Sequence, residues 1–209
     1  MEMKQFRNIS TLIFDFGGVI VNLDLPQCIQ NLKNLGLGDV EKYLSNFGQS
    51  GFFLKWESGE LTIEEFRTEI RKLTSNELTD KQIDDAWCSF LTDIPAEKIE
   101  VLKLLRNKYK LLLLSNTNPL HIQVSAAGEF AKYGGTMNDF FDKCYLSYEM
   151  GLIKPNANIF EALLKDAGVR AEECLFIDDG PKNIETASKL GFQTRLVKQE
   201  DDLSFLLSL

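Results

Sequence analysis

The sequence is poor in the features that would announce a metal cage, a crosslinked scaffold or a membrane anchor. Its four cysteines, Cys28, Cys88, Cys144 and Cys174, are widely spaced and form no CxxC pair. Neither a zinc site nor a dense disulfide framework is indicated, and a reducing cytoplasm fits. No stretch approaches the ~18 consecutive apolar residues of a membrane helix. Lys4 and Arg7 precede an apolar run, as in a signal peptide, but Asp15 and two glycines break that run early. Positive charge is in deficit: 23 Lys and Arg against 31 Asp and Glu leave a net charge of −8. That balance disfavours nucleic acid and anionic membrane as partners, because both attract a positive field. An anionic substrate then needs local cationic help. Repeats and low-complexity tracts are missing, and histidine occurs once, as His121.

What is present is a soluble globular composition, 44% hydrophobic and 26% charged, on 209 residues. That length holds one domain plus a sizeable insertion, at about 150 residues per domain. The chain is organised around Thr11-Leu-Ile-Phe-Asp15-Phe-Gly17-Gly18-Val19, an apolar run reading as a buried strand that ends in a carboxylate and a sharp turn. Alone, the stretch is an ordinary Asp-containing turn; later stretches change its meaning. Val19 to Asp24 alternates like a short hairpin or flap. From about Pro26 to Thr92 the pattern is helical, with loop signals at Gly36-Leu-Gly38, Gly48-Gln-Ser-Gly51 and Ser58-Gly59. Thr62-Ile-Glu-Glu65 and Thr79-Asp-Lys-Gln82 read as capping boxes, so helices are predicted just after each threonine. This places a helical cap domain over 25–93, between core segments 1–24 and 94–209, as a lid above Asp15.

From Pro95 a helix is marked by Ile99, Leu102, Leu105 and Tyr109, followed by a strand over 110–115 ending at Ser115-Asn116. The stretch 128–142 matches no clear pattern. A third strand follows over 143–147, then Gly151-Leu-Ile-Lys154-Pro155. A helix over 157–167, with Asn156 as a possible cap and Gly168 at its end, leads to a fourth strand ending at Asp178-Asp179. Pro181 opens another helix, Gly191 closes it, and a fifth strand spans 193–197. Strands alternating with helices predict an α/β, Rossmann-like parallel sheet flanked by helices.

One sheet edge would then gather Asp15, Ser115 with Asn116, Lys154, and the Asp178-Asp179 pair. Carboxylate oxygens suit Mg²⁺, which takes one or two carboxylates and keeps other positions for water and phosphate. Asp15 could then attack phosphorus, a carboxylate nucleophile splitting hydrolysis into two steps. At this point the chain resembles the haloacid dehalogenase-like superfamily, most of whose members are Mg²⁺-dependent phosphatases. Its motifs stand here as Asp15-Phe-Gly-Gly-Val19, Ser115-Asn116, Lys154-Pro155, and Phe176-Ile-Asp-Asp179 with Asn183 beyond. The insertion looks like the helical-cap type, and Leu114-Ser-Asn-Thr-Asn118 with Gly151-Leu-Ile-Lys-Pro155 is similar to the branch of sugar-phosphate phosphatases, among them one acting on α-D-glucose 1-phosphate.

The resemblance implies that Asp15 is nucleophile and metal ligand and that Asp179, supported by Asp178, is a second carboxylate ligand. It further implies that the Gly17 carbonyl completes the metal site, that Ser115 and Asn116 bind phosphate, and that Lys154 neutralises phosphate and nucleophile. Each keeps a bland alternative: Ser115 as a helix cap, Lys154 as a solvated side chain, Asp179 as a turn residue. One departure stands out. Most of these phosphatases carry an Asp two positions after the nucleophile as general acid and base, where this chain has Gly17. That help is worth ~10²–10⁴ in rate, so anomeric and acyl phosphates are expected to suit the site better than alkyl esters. His121 is a candidate for substrate contact or the missing proton transfer. Phe52, Phe53 and Trp56 are candidates for the pocket, with a buried helix face as the alternative. The expected substrate is a small phosphorylated metabolite and the expected state a monomer or homodimer. Two other readings remain: a haloacid dehalogenase attacking carbon without metal, and a phosphate-ligand binding protein that has lost turnover.

Overall fold

Three apolar runs, Leu12–Phe14, Leu111–Leu114 and Leu175–Ile177, are wholly withdrawn from water, which a strand can be only if both faces of its sheet are covered. The computed structural model describes residues 6–44 and 49–209. Lys4 and Gly48, both singled out above, lie outside them. The five strands are β1 (Thr11–Phe14), β2 (Lys110–Ser115), β3 (Lys143–Leu146), β4 (Cys174–Asp178) and β5 (Gln193–Leu196). They form one parallel sheet in the order β3-β2-β1-β4-β5. Alternation along β1 sends Leu12 and Phe14 into one core and Ile13 into the other. The Rossmann-like expectation therefore holds.

The helices are α1 (Leu25–Asn34), α2 (Phe52–Glu57), α3 (Ile63–Lys72), α4 (Asp80–Cys88), α5 (Ala96–Leu105), α6 (Ala127–Ala131), α7 (Met137–Phe140), α8 (Ser147–Met150), α9 (Ala157–Ala167) and α10 (Pro181–Lys189). Ile99, Leu102 and Leu105 of α5 cover one sheet face, and Ile159, Phe160 and Leu163 of α9 cover the other. Both capping boxes form: Thr62 Oγ1 accepts from Glu65 N at 3.2 Å while Glu65 Oε2 accepts from Thr62 N at 2.8 Å. At α4, Thr79 Oγ1 accepts from Gln82 N at 3.3 Å and Gln82 Oε1 from Thr79 N at 2.9 Å. Asp24 caps α1 by accepting from Gln27 N at 2.9 Å. Asn156 occupies the N-cap position of α9 without a side-chain cap bond. Among the described residues no helix is long and apolar enough to cross a membrane.

Two local expectations are corrected. Residues 19–24 form no hairpin of their own; Phe16 O accepts from both Ile20 N and Val21 N in a tight turn, and the chain then pairs with the return linker. Leu23 bridges Leu91 antiparallel, with Asn22 N donating to Asp93 O and Thr92 N to Asn22 O, each at 2.9 Å. The two linkers of the helical segment are thus stitched together beside the site. Helix α5 stops at Leu105 rather than reaching Tyr109, because Lys108 N and Tyr109 N both turn back to Leu105 O to enter β2. Tyr109 still packs on the core, which is why the apolar spacing runs on. The stretch 128–142 holds the end of a helix that begins as π-helical turns over His121–Ala126, then α7.

Parallel pairing sets Phe14 beside both Leu113 and Ile177, so β1, β2 and β4 end together. The chain leaves β1 to one side and returns by β4 on the other, and ligands collect at such a switch point. The turn after β1 is held from below by Lys98, a buried residue of α5 whose Nζ donates to Val19 O at 2.7 Å and Gln199 O at 3.0 Å. Burial pulls this ammonium below its ordinary range. Removing it would strand two carbonyls, at about 1–3 kcal/mol for an unsatisfied buried group. Lys98→Met is therefore expected to lower the urea midpoint of unfolding and to lower activity with it; an unchanged midpoint would show that the clamp contributes nothing.

Candidate active site

The ends of β1 and β4 and the loop before α9 meet at one ammonium. Lys154 Nζ lies 2.9 Å from Asp15 Oδ1 and 2.7 Å from Asp178 Oδ2, and its side chain is fully buried. Asp178 is saturated: Oδ1 accepts from Gly180 N at 2.7 Å and Asn183 Nδ2 at 2.9 Å, and Oδ2 takes Lys154. Asp15 Oδ1 also accepts from Phe16 N at 2.7 Å. Asp179 completes the group, since Asp15, Asp178 and Asp179 each offer an oxygen within 4.8 Å of the others. Gly18 makes this approach possible: its φ is +72°, and a Cβ there would stand 2.3 Å from Asp179 Oδ2. A side chain is excluded both by the left-handed backbone and by the carboxylate.

Three acids around one cation leave an excess of negative charge in a poorly solvated place. Burial, followed by repulsion from Asp178, pushes Asp179 up to about 6. Burial and both neighbouring acids also hold Asp15 well above the ordinary carboxylate range, against the pull of Lys154. Lys154 stays charged, because Asp15 and Asp178 together outweigh its desolvation. Hard oxygen donors with uncompensated charge fit a divalent cation such as Mg²⁺. Because Asp178 is already engaged, Asp15, Asp179 and the Gly17 carbonyl are the groups with capacity to hold one.

Ser115, Asn116 and Gly17 line the same pocket as Asp15, Lys154 and Asp179. Both ends of the Asn116 side chain are committed to the backbone of Lys154: Oδ1 accepts from Lys154 N at 2.8 Å and Nδ2 donates to Lys154 O at 2.9 Å. Asn116 therefore fixes the lysine loop against the end of β2. Ser115 is buried at that strand end and heads no helix. Lys154 likewise is no solvated side chain.

His121 lines the pocket but is fully engaged. Its Nδ1 accepts from Asn118 Nδ2 at 3.0 Å, its Nε2 donates to Trp87 O at 3.2 Å, and the ring stacks on Trp87. Desolvation drives it down to about 4, so it is neutral at pH 7. It is a strut, and the expectation that it relays the proton is withdrawn. Trp56 is also corrected: it is wholly buried, stacked on Phe66 at 4.7 Å, and lies in the aromatic core of the helical segment rather than in the pocket wall. Phe52 and Phe53 belong to that same core.

The residue that sequence reasoning missed is Glu57, the last residue of α2, which is buried and lines the pocket. Burial pushes its carboxyl up to about 8, against a hydrogen bond from Gln49 and the attraction of Lys154. A carboxyl raised on folding adds stability that is complete below its unfolded pKa and is lost as pH climbs through the folded value. Wild type is thus expected to lose stability from about pH 4.5 to about pH 8 through this group. Glu57→Gln should melt several degrees higher at pH 8 and show little gain at pH 4; equal gains at both would deny the buried carboxyl its cost.

Four similarities bear on this site. The family model for haloacid dehalogenase-like hydrolases matches residues 9–191. A D-ribitol-5-phosphate phosphatase of Bacteroides thetaiotaomicron is 40% identical over 186 residues, 89% of this chain and 90% of its own. A haloacid dehalogenase-like family enzyme of the same organism, solved with magnesium and inorganic phosphate, superposes with a TM-score of 0.88 at 42% identity, covering 95% of this chain and 98% of that one. A haloacid dehalogenase-like family hydrolase of Porphyromonas gingivalis superposes with a TM-score of 0.88 at 41% identity, covering 96% and 97%. With the sheet edge, the acid cluster and the buried lysine in place, the chain belongs to the haloacid dehalogenase-like hydrolases.

Proposed function

We propose that this protein is a Mg²⁺-dependent phosphatase of a small phosphorylated metabolite, a polyol or sugar phosphate, working through an aspartyl phosphate on Asp15. The observation that carries the reading is the buried ammonium of Lys154 held between Asp15 and Asp178 at the switch point of the sheet. Substrate class is supported by the relative that acts on D-ribitol 5-phosphate. Magnesium is supported by the similar enzyme solved with magnesium and phosphate and by the surplus of hard oxygen donors here.

Asp15 Oδ1 is occupied by Lys154 and Phe16 N, which assigns the attack on phosphorus to Oδ2. Lys154 favours the ionised form of Asp15 against the cost of its burial and offsets charge on the transferring oxygens. Ser115 and the backbone N–H groups after β2 hold those oxygens. Mg²⁺ held by Asp15, Asp179 and the Gly17 carbonyl would supply further charge neutralisation on the phosphoryl group. The helical segment over 25–93 acts as the cap that excludes water. A metal-free dehalogenase is not favoured, because Asp179 adds a carboxylate that an anionic substrate would have to face unneutralised. The four thiols are free, and each is pushed up to about 11 or 12 chiefly by burial; they suit a reducing cytoplasm.

Two variants test the reading in a phosphatase assay across polyol phosphates, sugar phosphates and p-nitrophenyl phosphate. Asp15→Asn is expected to abolish release of phosphate from all of them with its melting temperature retained, and wild-type turnover in that variant would remove Asp15 from its role. Gly18→Ala, which displaces Asp179, should raise the Mg²⁺ concentration needed for half-maximal rate by ten-fold or more, the equivalent of about 1.4 kcal/mol. An unaltered Mg²⁺ titration would take Asp179 out of the metal site.

A further inference from the structure

A relative named for an alkyl phosphate sharpens the question of where a leaving-group proton comes from. In-line displacement sets the leaving oxygen opposite the attacking Asp15, on the side roofed by the helical segment. Among the described residues, that segment lends the pocket Gln49, Glu57, Phe90 and Leu91, and Glu57 is the ionisable one. Position 17 offers no side chain, and a Cβ there would meet Leu23 Cδ2 at 3.2 Å. His121 has both ring nitrogens engaged.

Glu57 is different in kind. Its Oε2 is buried without a hydrogen-bond partner, a state that costs stability unless a ligand uses it. Its backbone is pinned to the core beside the phosphate-side loop: Ser147 Oγ donates to Glu57 O at 2.6 Å, accepts from Thr117 N at 2.9 Å and contacts Thr117 O at 3.1 Å. Gly59, two residues on, approaches the core so closely that a Cβ would lie 2.1 Å from Tyr148 O. A carboxyl on so rigid a mount is positioned rather than swinging.

We propose that Glu57 donates the proton to the leaving oxygen, in place of a side chain at position 17; this rests on the phosphatase reading above. As Asp15 Oδ2 bonds to phosphorus and the ester P–O bond breaks, the Glu57 carboxyl proton passes to the departing oxygen. The products are the alcohol, the aspartyl phosphate and a Glu57 carboxylate. Water then attacks the phosphorus and gives a proton to Glu57, the P–O bond to Asp15 breaks, and inorganic phosphate leaves with Asp15 ionised and Glu57 protonated again. Both halves balance without another reactant.

The surroundings keep Glu57 protonated at neutral pH, with its carboxyl at about 8. The helices packed on α2 are α3, which sets Phe66 against Trp56, α4, which stacks Trp87 on Phe53, and α8, which brings Ser147 and Tyr148. Tyr148 bonds to Glu149. The charge that reaches Glu57 is Lys154, with Gln49 as hydrogen-bond partner; Asp15, Asp179 and neutral His121 stand elsewhere on the pocket wall.

The test compares wild type with Glu57→Gln, in Mg²⁺, on two leaving groups. One substrate is D-ribitol 5-phosphate or, if wild type turns it over faster, D-glucose 6-phosphate; the other is p-nitrophenyl phosphate, whose leaving group departs without a proton. For the alkyl phosphate, kcat should fall ~10²–10⁴-fold with KM little changed. For p-nitrophenyl phosphate, the variant should still release a burst of p-nitrophenol equal to the enzyme present, followed by slow turnover as the aspartyl phosphate waits for its base. The wild-type rate on the alkyl phosphate should decline above about pH 8, a limb missing from the variant. A raised KM with kcat retained would make Glu57 a binder of substrate hydroxyls and overturn the proposal, as would loss of the burst. Asp15→Asn gives no burst on either substrate, so failure of the nucleophile is told apart from failure of the acid.

Discussion

The structure depends on one buried charge. Lys154 reaches both Asp15 and Asp178 within 2.9 Å with its side chain wholly out of water. An ammonium there is tolerable only because two carboxylates meet it, and those carboxylates are tolerable only because of it. Each partner is secured from behind. Asn116 grips the Lys154 backbone at both its N–H and its carbonyl. Asn183 and Gly180 N hold Asp178, and Phe16 N holds Asp15. The ends of β1, β2 and β4 and the loop before α9 are thereby tied to one point. Removing Lys154 from such a cluster costs ~3–5 kcal/mol, since two carboxylates are left buried without a counter-charge.

A second set of contacts seats the helical segment on this point. Trp87 Nε1 donates to Asn118 Oδ1 at 3.2 Å, Asn118 Oδ1 also accepts from His121 N at 3.0 Å, and His121 Nε2 returns to Trp87 O. The polar edge of α4 is thus satisfied by the chain just after β2. Ser147 makes the equivalent join for α2 through Glu57 and Thr117. Paired linkers at Leu23 and Leu91 close the third side. The segment is held over the acids by hydrogen bonds that its own buried polar groups require, and the closeness of the fit is what dehydrates Glu57.

Much of the fold could be read from residue order because its causes are local. The runs at Leu12, Leu111 and Leu175 announce strands buried on both faces, and Thr62 with Glu65 and Thr79 with Gln82 announce helix starts. Polar residues closing those strands announce a site, since parallel strands with crossovers end on a common edge. Where reading failed, the cause lay at a distance. Trp56 and Phe53 stand beside pocket residues in sequence yet face Phe66 and Trp87, and nothing in a six-residue helix tells which face meets the core. The single histidine invited a chemical role that Trp87 O and Asn118, 34 and three positions away, had already taken.

Residue order was enough to bring Asp15, Ser115, Lys154 and Asp179 to one edge of a parallel sheet, because hydrophobic periodicity and strand order act over short stretches and need no partner to be recognised. What surrounds them was settled by packing between remote segments: that Asn116 serves Lys154, that His121 is neutral and spent, and that Glu57 is a dry carboxyl lining the same pocket. Burial and hydrogen-bond partnership are properties of contacts between remote segments, and they alone set whether a side chain carries charge, holds a proton or merely fills space.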